Sequence, residues 1–297
     1  MGLNPVPVFA QEVGDFLRAL SSEVRGNATL GLPFPAFYAD DRKLVIHCIS
    51  PSTLPTKTEI SCFADISDVM AEKGLKIIHL WEDVWRTKPA VVQSRLRAAF
   101  GQTQRIPARL TKVRRIDKPT FDRFIQDNHL QVTTTAKYKY GLFLPKHYER
   151  IIRQEGPAAA LRSAFNGSAE VLVAAASFSG GKSILRDGRS YRSFELIRFA
   201  NRVDCTVVGG LDKLLKAFIG EVNPDDIMTY ADRDWSDGRG YERLGFERIG
   251  TTPSQTFWVN PQTWERHYAE RLTETQISKD WLKIVNAGNW KFLKKRK

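Results

Sequence analysis

Apolar residues recur with helical spacing in some stretches of the chain and form short runs in others. The spacing i, i+3, i+4, i+7 predicts amphipathic helices within residues 9–20 and 211–218. Short, mostly apolar runs at 171–178, 194–199 and 227–230 predict buried strands. The alternation of the two patterns predicts an α/β or α+β protein.

The first hundred residues predict a fixed order of five elements. These are a helix at 9–20, a hairpin at 37–49, a helix at 64–73, a strand at 76–80 and a helix at 89–100. The run from Ile77 to Trp85, followed by 91–96, is similar to the closing strand and helix of the Vsr-like homing endonucleases found in phages. The resemblance implies a Vsr-type restriction-endonuclease-like domain at 1–105.

That family carries two metal-binding carboxylates on its hairpin, and this chain departs from the pattern. The matching positions are Ala36 and His47, and neither supplies the oxygen ligands that magnesium requires. Four nearby carboxylates remain as alternatives: Asp40, Asp41, Glu82 and Asp83. The first two fall in the hairpin turn, and the last two fit a helix cap or a salt bridge equally well. We therefore predict a degenerate nuclease domain that binds no metal and serves as a nucleic-acid-binding platform.

A polar, Gln-containing segment ending in Pro predicts a boundary near 101–107 and a second domain at 106–297. Its elements follow the order β-α-β-β-β-α-β-α-β. Strands are predicted at 108–116, 137–144, 171–178, 194–199, 227–230 and 256–260. Residues 118–127 predict a helix, 148–165 a helical insertion and 186–189 a hairpin tip.

The segment from Val207 to Phe246 resembles the acyl-CoA half of the GNAT acetyltransferases. A strand, a Gly-Gly turn and a helix form an arrangement that binds anions, because the first amides of a helix have no intrahelical acceptor. The resemblance implies that Val208, Gly209, Gly210 and Leu211 bind the diphosphate of acetyl-CoA or a related acyl-CoA.

Two further features bear on the resemblance. The family's phosphate motif has Arg or Gln at the position of Thr206 and a small residue at that of Leu211, so this chain departs from the motif at both of its ends. Segments 128–131, 194–199, 208–210, 230–233 and 241–246 are also similar to the companion domain of the phage proteins and to the Mu-type Mom DNA modification enzymes. The tail at 284–292 resembles their ending, which implies a strand, a turn and a strand there.

Acyl transfer from a thioester to an amine requires a base for the amine proton and an acid for the departing thiolate. The resemblance implies that Tyr241 is the acid, and a tyrosine that only packs its ring is the alternative. Glu195 is the candidate base because it lies in an apolar strand where burial raises a carboxyl pKa. It could instead pair with Arg198 or Arg192, and Asp232 and Asp234 are alternative bases.

The positive net charge of the chain indicates what kind of partner it binds. The 297 residues carry a net charge of +12 and a sequence pI near 9.7, which favours a polyanion, nucleic acid first and DNA in particular. The candidate contacts are the basic residues of the predicted boundary and of the C-terminal tail: Arg105, Arg109, Lys112, Arg114, Arg115, Lys294, Lys295 and Arg296. The N-terminus lacks the pattern of a signal peptide and no long apolar run occurs, so we expect a cytoplasmic protein without a membrane segment.

Three hypotheses follow from the sequence. The first is a GNAT-like, Mom-like acyltransferase or DNA-modification protein that carries an inactivated nuclease domain. The second is a non-catalytic nucleic-acid-binding scaffold. The third is a Vsr-like homing endonuclease that nicks DNA with a divalent metal.

Overall fold

A computed structural model describes residues 7–26, 30–54, 63–273 and 276–296. Its α-helices are α1 (Val8–Leu20), α2 (Phe63–Glu72), α3 (Glu82–Thr87), α4 (Pro89–Ala99), α5 (Lys118–Asn128), α6 (Ala159–Ser163), α7 (Gly210–Val222) and α8 (Arg239–Glu242). Throughout these ranges, no helix has the length and apolar character that a membrane crossing needs.

The strands are numbered in chain order. They are β1 (Val24–Gly26), β2 (Ala36–Ala39), β3 (Leu44–Ile49), β4 (Lys76–Trp81), β5 (Gln104–Pro107), β6 (Lys112–Arg115), β7 (Tyr138–Pro145), β8 (Glu170–Phe178), β9 (Lys182–Arg186), β10 (Arg189–Asn201), β11 (Cys205–Val208), β12 (Asp226–Asp232), β13 (Glu247–Thr252), β14 (Thr256–Val259), β15 (Arg266–Tyr268), β16 (Leu282–Val285) and β17 (Asn289–Lys295). A mixture of helices and strands confirms the predicted α/β class.

The described strands form four sheets. The largest has the order β13-β17-β12-β10-β8-β7-β6, and among these strands β9 joins it only through β10. A four-stranded sheet has the order β1-β2-β3-β4, a three-stranded sheet the order β15-β14-β16, and β5 pairs with β11. Within the largest sheet, the chain order from β6 through α5, β7, β8, β10, α7 and β12 to α8 follows the predicted succession.

The chain divides into two compact units. The first consists of 1–89, 231–240 and 249–291, and the second of 90–230, 241–248 and 292–297. The expected boundary between 105 and 106 therefore falls inside the second unit. The roles assigned to 1–105 and 106–297 remain predictions.

The first unit contains the four-stranded sheet. Its β2 and β3 form the predicted hairpin, and β3 pairs with β4 in parallel across α2, as the helix-hairpin-helix-strand-helix pattern predicted. One core cluster joins Ile49 and Trp81 to Phe257 and Ile284, which come from a distant part of the sequence.

Three sequence predictions require correction. Residues 256–260 do not close the largest sheet, because β14 pairs with β15 and β16 and its Phe257 lies in the core of the first unit. The strand expected at 108–116 is interrupted at Ala108–Leu110 by a single 3-10 turn. The insertion at 148–165 forms two 3-10 turns and the short α6, since Gly and Pro interrupt it at 156–157.

The strand-turn-strand ending predicted at 284–292 is confirmed by β16, a turn and β17. The tip predicted at 186–189 is also confirmed, with left-handed φ angles of 49° at Asp187 and 72° at Gly188. Two successive positive φ angles are typical of the two-residue type I′ turn, for which Asp-Gly is a preferred sequence.

Candidate active site

A fork between two parallel strands of the second unit forms the candidate site. The ladder between β10 and β12 runs from Ser193 opposite Asp226 to Leu196 opposite Thr229, and both strands continue beyond it. A register shift follows at once on the other edge of β10, between Leu196 and Arg198 against β8. Because such a bulge bends a strand and increases its twist, it accounts for the divergence of β10 from β12.

Tyr241 lies at the apex of this fork. Thr229 Oγ1 donates a 3.0 Å hydrogen bond to the carbonyl oxygen of Leu196, and the Tyr241 phenol forms a hydrogen bond with the same Thr229 side chain. The phenol ring packs 5.6 Å from the ring of Phe246 and 5.4 Å from that of Phe292, measured between centroids. The ring is thus packed while its hydroxyl reaches the point where the strands separate.

Burial raises the pKa of the Tyr241 phenol above its ordinary value, and the Thr229 hydrogen bond and the charge of Arg95 act in the opposite direction. A phenol with a raised pKa keeps its proton at neutral pH. Tyr241 therefore has the protonation state that a general acid needs.

Glu195 lies on β10 next to the fork and is half-buried. Burial raises the pKa of its carboxyl, and the charges of Arg198 and Lys182 oppose the shift. Among the described residues it forms no salt bridge: the Arg198 guanidinium donates to the Val132 and Ile197 carbonyls. The Arg192 guanidinium likewise donates to carbonyl oxygens near the end of α7, so neither alternative partner predicted for Glu195 holds it.

Asp232, one of the two alternative bases, belongs to the first unit. Its Oδ1 accepts a 3.0 Å hydrogen bond from the backbone amide of Asp234. Burial, followed by the neighbouring charge of Asp232, raises the pKa of Asp234 to about 7. The carboxylate of Asp234 accepts hydrogen bonds from the Trp81 indole and the Ala287 amide, which makes it part of the buried framework of that unit.

The Gly-Gly turn begins α7 as predicted. Gly209 has φ 77°, in the left-handed region that favours glycine, and an added Cβ at Gly210 would lie 3.0 Å from the Val207 Cβ. Val208 and Gly209 are exposed, Gly210 is buried and Leu211 is half-buried. The entrance to the first turn of α7 is therefore open to solvent at Val208 and Gly209.

The departure at Thr206 has a local explanation. Its hydroxyl lies 2.7 Å from that of Thr103, and β11 pairs in parallel with β5 at this point. Thr206 consequently stabilises the contact with β5, whereas the family has a phosphate-contacting Arg or Gln there.

The predicted nucleic-acid contacts fall into three groups. Arg114 pairs with Glu170 and Arg115 with Glu221, and both cations lie on β6, the edge strand of the largest sheet. Charged residues on an edge strand hinder pairing with other chains, so their position has a structural explanation. Of the tail residues, Lys294 donates to the Leu244 carbonyl, while Lys295 and Arg296 are exposed.

Arg105, Arg109 and Lys112 are exposed and form no salt bridge within the described ranges. They flank the start of α7: Arg105 is the register partner of Thr206, and Ala108 is 3.7 Å from an added Cβ at Gly209. The segment that carries these three cations thus runs beside the start of α7, a grouping that the sequence could not show because it depends on the pairing of β5 with β11.

In the first unit, the positions matching the nuclease carboxylates are direct cross-strand partners, Ala36 opposite His47. The Nδ1 atoms of His47 and His79 lie 3.0 Å apart, His79 Nε2 is 2.9 Å from Ser67 Oγ, and Ser67 Oγ donates to the Phe63 carbonyl. Burial lowers the pKa of His47 to about 4, and burial together with His47 lowers that of His79 well below its usual value.

One assignment of the imidazole protons gives every proton in this series of hydrogen bonds an acceptor. His47 Nδ1–H donates to His79, His79 Nε2–H donates to Ser67, and Ser67 donates to Phe63, which leaves only the Nε2 lone pair of His47 without a partner. Ser67 accepts from His79 in this arrangement, so the imidazole does not activate it as a nucleophile.

The four remaining carboxylates of the nuclease hypothesis have separate partners. The Tyr38 hydroxyl donates to Asp40 and Arg42 pairs with Asp41. Glu82 accepts from Ser50 and pairs with Arg86, and Arg266 forms a bidentate pair with Asp83. In the part of the chain that the structure describes, no group of three or more His, Cys, Asp or Glu could hold a metal ion.

Comparisons with known proteins add little to this geometry. No family model matches the sequence, and a search of curated proteins found no match. Among solved structures, the chain is similar to a histone acetyltransferase HPA2 and related acetyltransferase from Corynebacterium glutamicum, with 16% identity and a TM-score of 0.32. It is also similar to the NatC complex bound to Gag peptide and CoA, and to Arabidopsis thaliana NAA60 in complex with a bisubstrate analogue, with 10% and 9% identity and TM-scores of 0.33.

Each match covers 63% of this chain and 97%, 99% and 99% of the respective structures. TM-scores this low carry no weight for fold or activity.

Proposed function

We propose that this chain is an acyl-CoA-dependent N-acyltransferase, associated with nucleic acid, whose active site is the fork between β10 and β12. The observation that supports the proposal most directly is the position of the Tyr241 hydroxyl, hydrogen-bonded to Thr229 where the parallel ladder ends. Glu195 lies one residue before the last paired residue of β10, so an acid and a base come from the two sides of one opening.

The residues at the start of α7 fit an acyl-CoA. The unpaired amides of the first turn of α7 and the cations Arg105, Arg109 and Lys112 provide for a diphosphate and a further phosphate. The carboxylate of Asp212 in that turn opposes an anion, but Lys216 pairs with it at 2.7 Å. The three cations that the sequence suggested as nucleic-acid contacts therefore acquire an alternative role as cofactor ligands.

Acyl-CoA, when bound, supplies a thioester whose carbonyl carbon reacts with the acceptor amine. Glu195 takes the proton that the amine loses as the nitrogen–carbon bond forms. Tyr241 gives its phenolic proton to the sulfur as the carbon–sulfur bond breaks, and the proton on Glu195 returns to the phenolate through solvent. The raised pKa of Glu195 suits its role because it brings the carboxyl closer to neutral pH. The raised pKa of Tyr241 keeps the phenol protonated until the thiolate departs.

The test combines binding with turnover. Acetyl-CoA at 100 times its dissociation constant is expected to stabilise the full chain by about 2.7 kcal/mol in thermal unfolding. Tyr241→Phe and Glu195→Gln are expected to keep this stabilisation and to slow thiol release from acetyl-CoA, measured with a chromogenic thiol reagent and an oligonucleotide acceptor, by roughly 10²–10⁴-fold.

Tyr148→Phe is the matched control, because Tyr148 is half-buried beside His147, outside the fork. Wild-type protein that shows no stabilisation at millimolar acetyl-CoA would contradict the proposal.

The second candidate is a non-catalytic nucleic-acid-binding scaffold. It is favoured by Thr206, which contacts Thr103 in place of a phosphate-binding side chain. Oligonucleotide binding without any effect of acetyl-CoA would decide for the scaffold. The endonuclease hypothesis finds no support in the separately paired carboxylates of the first unit.

A further inference from the structure

The hairpin formed by β9 and β10 extends beyond the ladder of the largest sheet. Within the described residues, β9 pairs only with β10, from Arg186 opposite Arg189 to Lys182 opposite Ser193. The tip of the hairpin is exposed at Asp187 and Gly188, and Lys182 and Arg189 are exposed as well. The hairpin therefore presents an unpaired outer edge and exposed basic side chains to solvent.

The hairpin is unusually cationic for a strand pair. Arg186 and Arg189 are directly opposite each other, and like charges in that position destabilise a sheet. Both guanidinium groups lie over the ring of Tyr191, at 5.3 Å and 5.6 Å from its centroid. Arg186 is balanced by the buried Asp226 at 2.6 Å.

Arg189 and Lys182 have no comparable carboxylate partner among the described residues. Both are exposed, and neither forms a salt bridge with any carboxylate of the described chain. Arg192 points to the opposite face, where it donates to the carbonyl oxygens of Val222 and Asn223. The unbalanced positive charge therefore lies on one face only, here called the hairpin face and defined by Lys182, Arg186, Arg189 and Tyr191.

The proposed base, Glu195, lies on β10 on the same side as the hairpin face. Alternate residues of a strand share a face, so Arg189, Tyr191, Ser193 and Glu195 follow one another along β10 at intervals of about 6.5 Å. The charge of Lys182 acts on the Glu195 carboxyl, which indicates that the base of the hairpin lies near it. A polyanion on this face would deliver its reactive groups to Glu195.

We propose that the hairpin face binds the phosphate backbone of the nucleic acid that carries the acceptor amine, an inference that rests on the proposed transferase function. Lys182 and Arg189 contact phosphates, and Arg186 and Tyr191 hold Arg189 in place. Phosphate is the partner that the chemistry favours, because guanidinium and ammonium groups pair with it strongly. The net charge of +12 gives such a polyanion a favourable approach.

The experiment measures binding of fluorescent 20-nucleotide DNA and RNA oligonucleotides, single- and double-stranded, to the full chain at several salt concentrations. The double variant Lys182→Ala/Arg189→Ala is expected to bind at least tenfold more weakly. The slope of log affinity against log salt should fall by about 0.9 for each phosphate that the variant no longer binds. The control Arg25→Ala/Lys73→Ala removes the same charge from exposed positions of the first unit and is expected to stay within about twofold of wild type.

Each outcome decides one point. Equal weakening in both double variants, or displacement of the oligonucleotide by poly-glutamate as readily as by unlabelled nucleic acid, overturns the hairpin face as a phosphate site. Absence of oligonucleotide binding by wild-type protein that is stabilised by acetyl-CoA overturns this inference and leaves the transferase proposal intact. Hairpin-dependent binding without any effect of acetyl-CoA supports the surface and overturns the transferase.

Discussion

Replacing His47 by Asn tests the hydrogen-bond chain that occupies the nuclease positions. The amide nitrogen of Asn takes the place of Nδ1, so it can still donate to His79, but it cannot titrate. His47 is fully buried, and burial lowers the pKa of its imidazole to about 4, against about 6.5 in an unfolded chain. The unfolded protein therefore binds more protons than the folded protein between these two values.

The sign and size of the effect follow from this difference. The stability contributed by the neutral imidazole is complete above about pH 6.5 and is lost as the pH falls towards 4. Between about pH 7.5 and pH 5, the His47 share of the loss is about 2 kcal/mol. In the variant, His79 is relieved of the charge of His47, which acts in the same direction. The remaining titrating groups are present in both proteins and largely cancel in the comparison.

Urea unfolding at these two pH values, followed by tryptophan fluorescence, measures the difference. The ring of Trp81 lies 5.2 Å from that of Phe63 in the same core, which makes it a suitable reporter. We expect His47→Asn to lose about 2 kcal/mol less than wild type on acidification. Equal losses of unfolding free energy in the two proteins would show that His47 is protonated in the folded state. They would refute the proton assignment in the hydrogen-bond series from His47 to Phe63.

Two other substitutions test separate parts of the structure. Asp234→Asn should show the opposite pH dependence: as the pH rises from about 5 to 8, the variant should gain about 2–3 kcal/mol relative to wild type, because the raised pKa of Asp234, about 7, costs the wild-type protein that share of its stability. Urea unfolding checks it, and an equal pH dependence in the two proteins would contradict the assigned shift. In α7, Gly209→Ala should cost about 1–2 kcal/mol because of its φ of 77°, whereas Gly220→Ala, with nothing within 4 Å of the added methyl, should gain about 0.5–1 kcal/mol. Thermal unfolding measures both, and equal signs would contradict the backbone assignment.

Local patterns predicted the elements that depend on neighbouring residues. The Gly-Gly start of α7, the Asp-Gly hairpin tip and the order of elements in the first ninety residues all follow from spacing and turn chemistry. What the sequence could not predict depends on pairing between distant segments. The fork at Thr229 arises from the register of β10 with β12, and the cations around Gly209 from the pairing of β5 with β11.

The strand at 256–260 illustrates the same limit of prediction from local sequence. Its apolar pattern correctly predicts a strand, yet period-two alternation does not state which sheet a strand joins. The core formed by Phe257 with Ile49 and Trp81 decides that, and nothing in the local sequence signals it.

The composition of that core has a consequence for synthesis. Trp81 leaves the ribosome about 200 residues before Ile284, with which it shares a buried cluster. At roughly 5–20 residues per second, the nascent chain spends about 10–40 s with this apolar surface uncovered. Truncation of the gene after the first hundred codons would make that interval permanent, and the fragment should aggregate on expression although its local elements are complete.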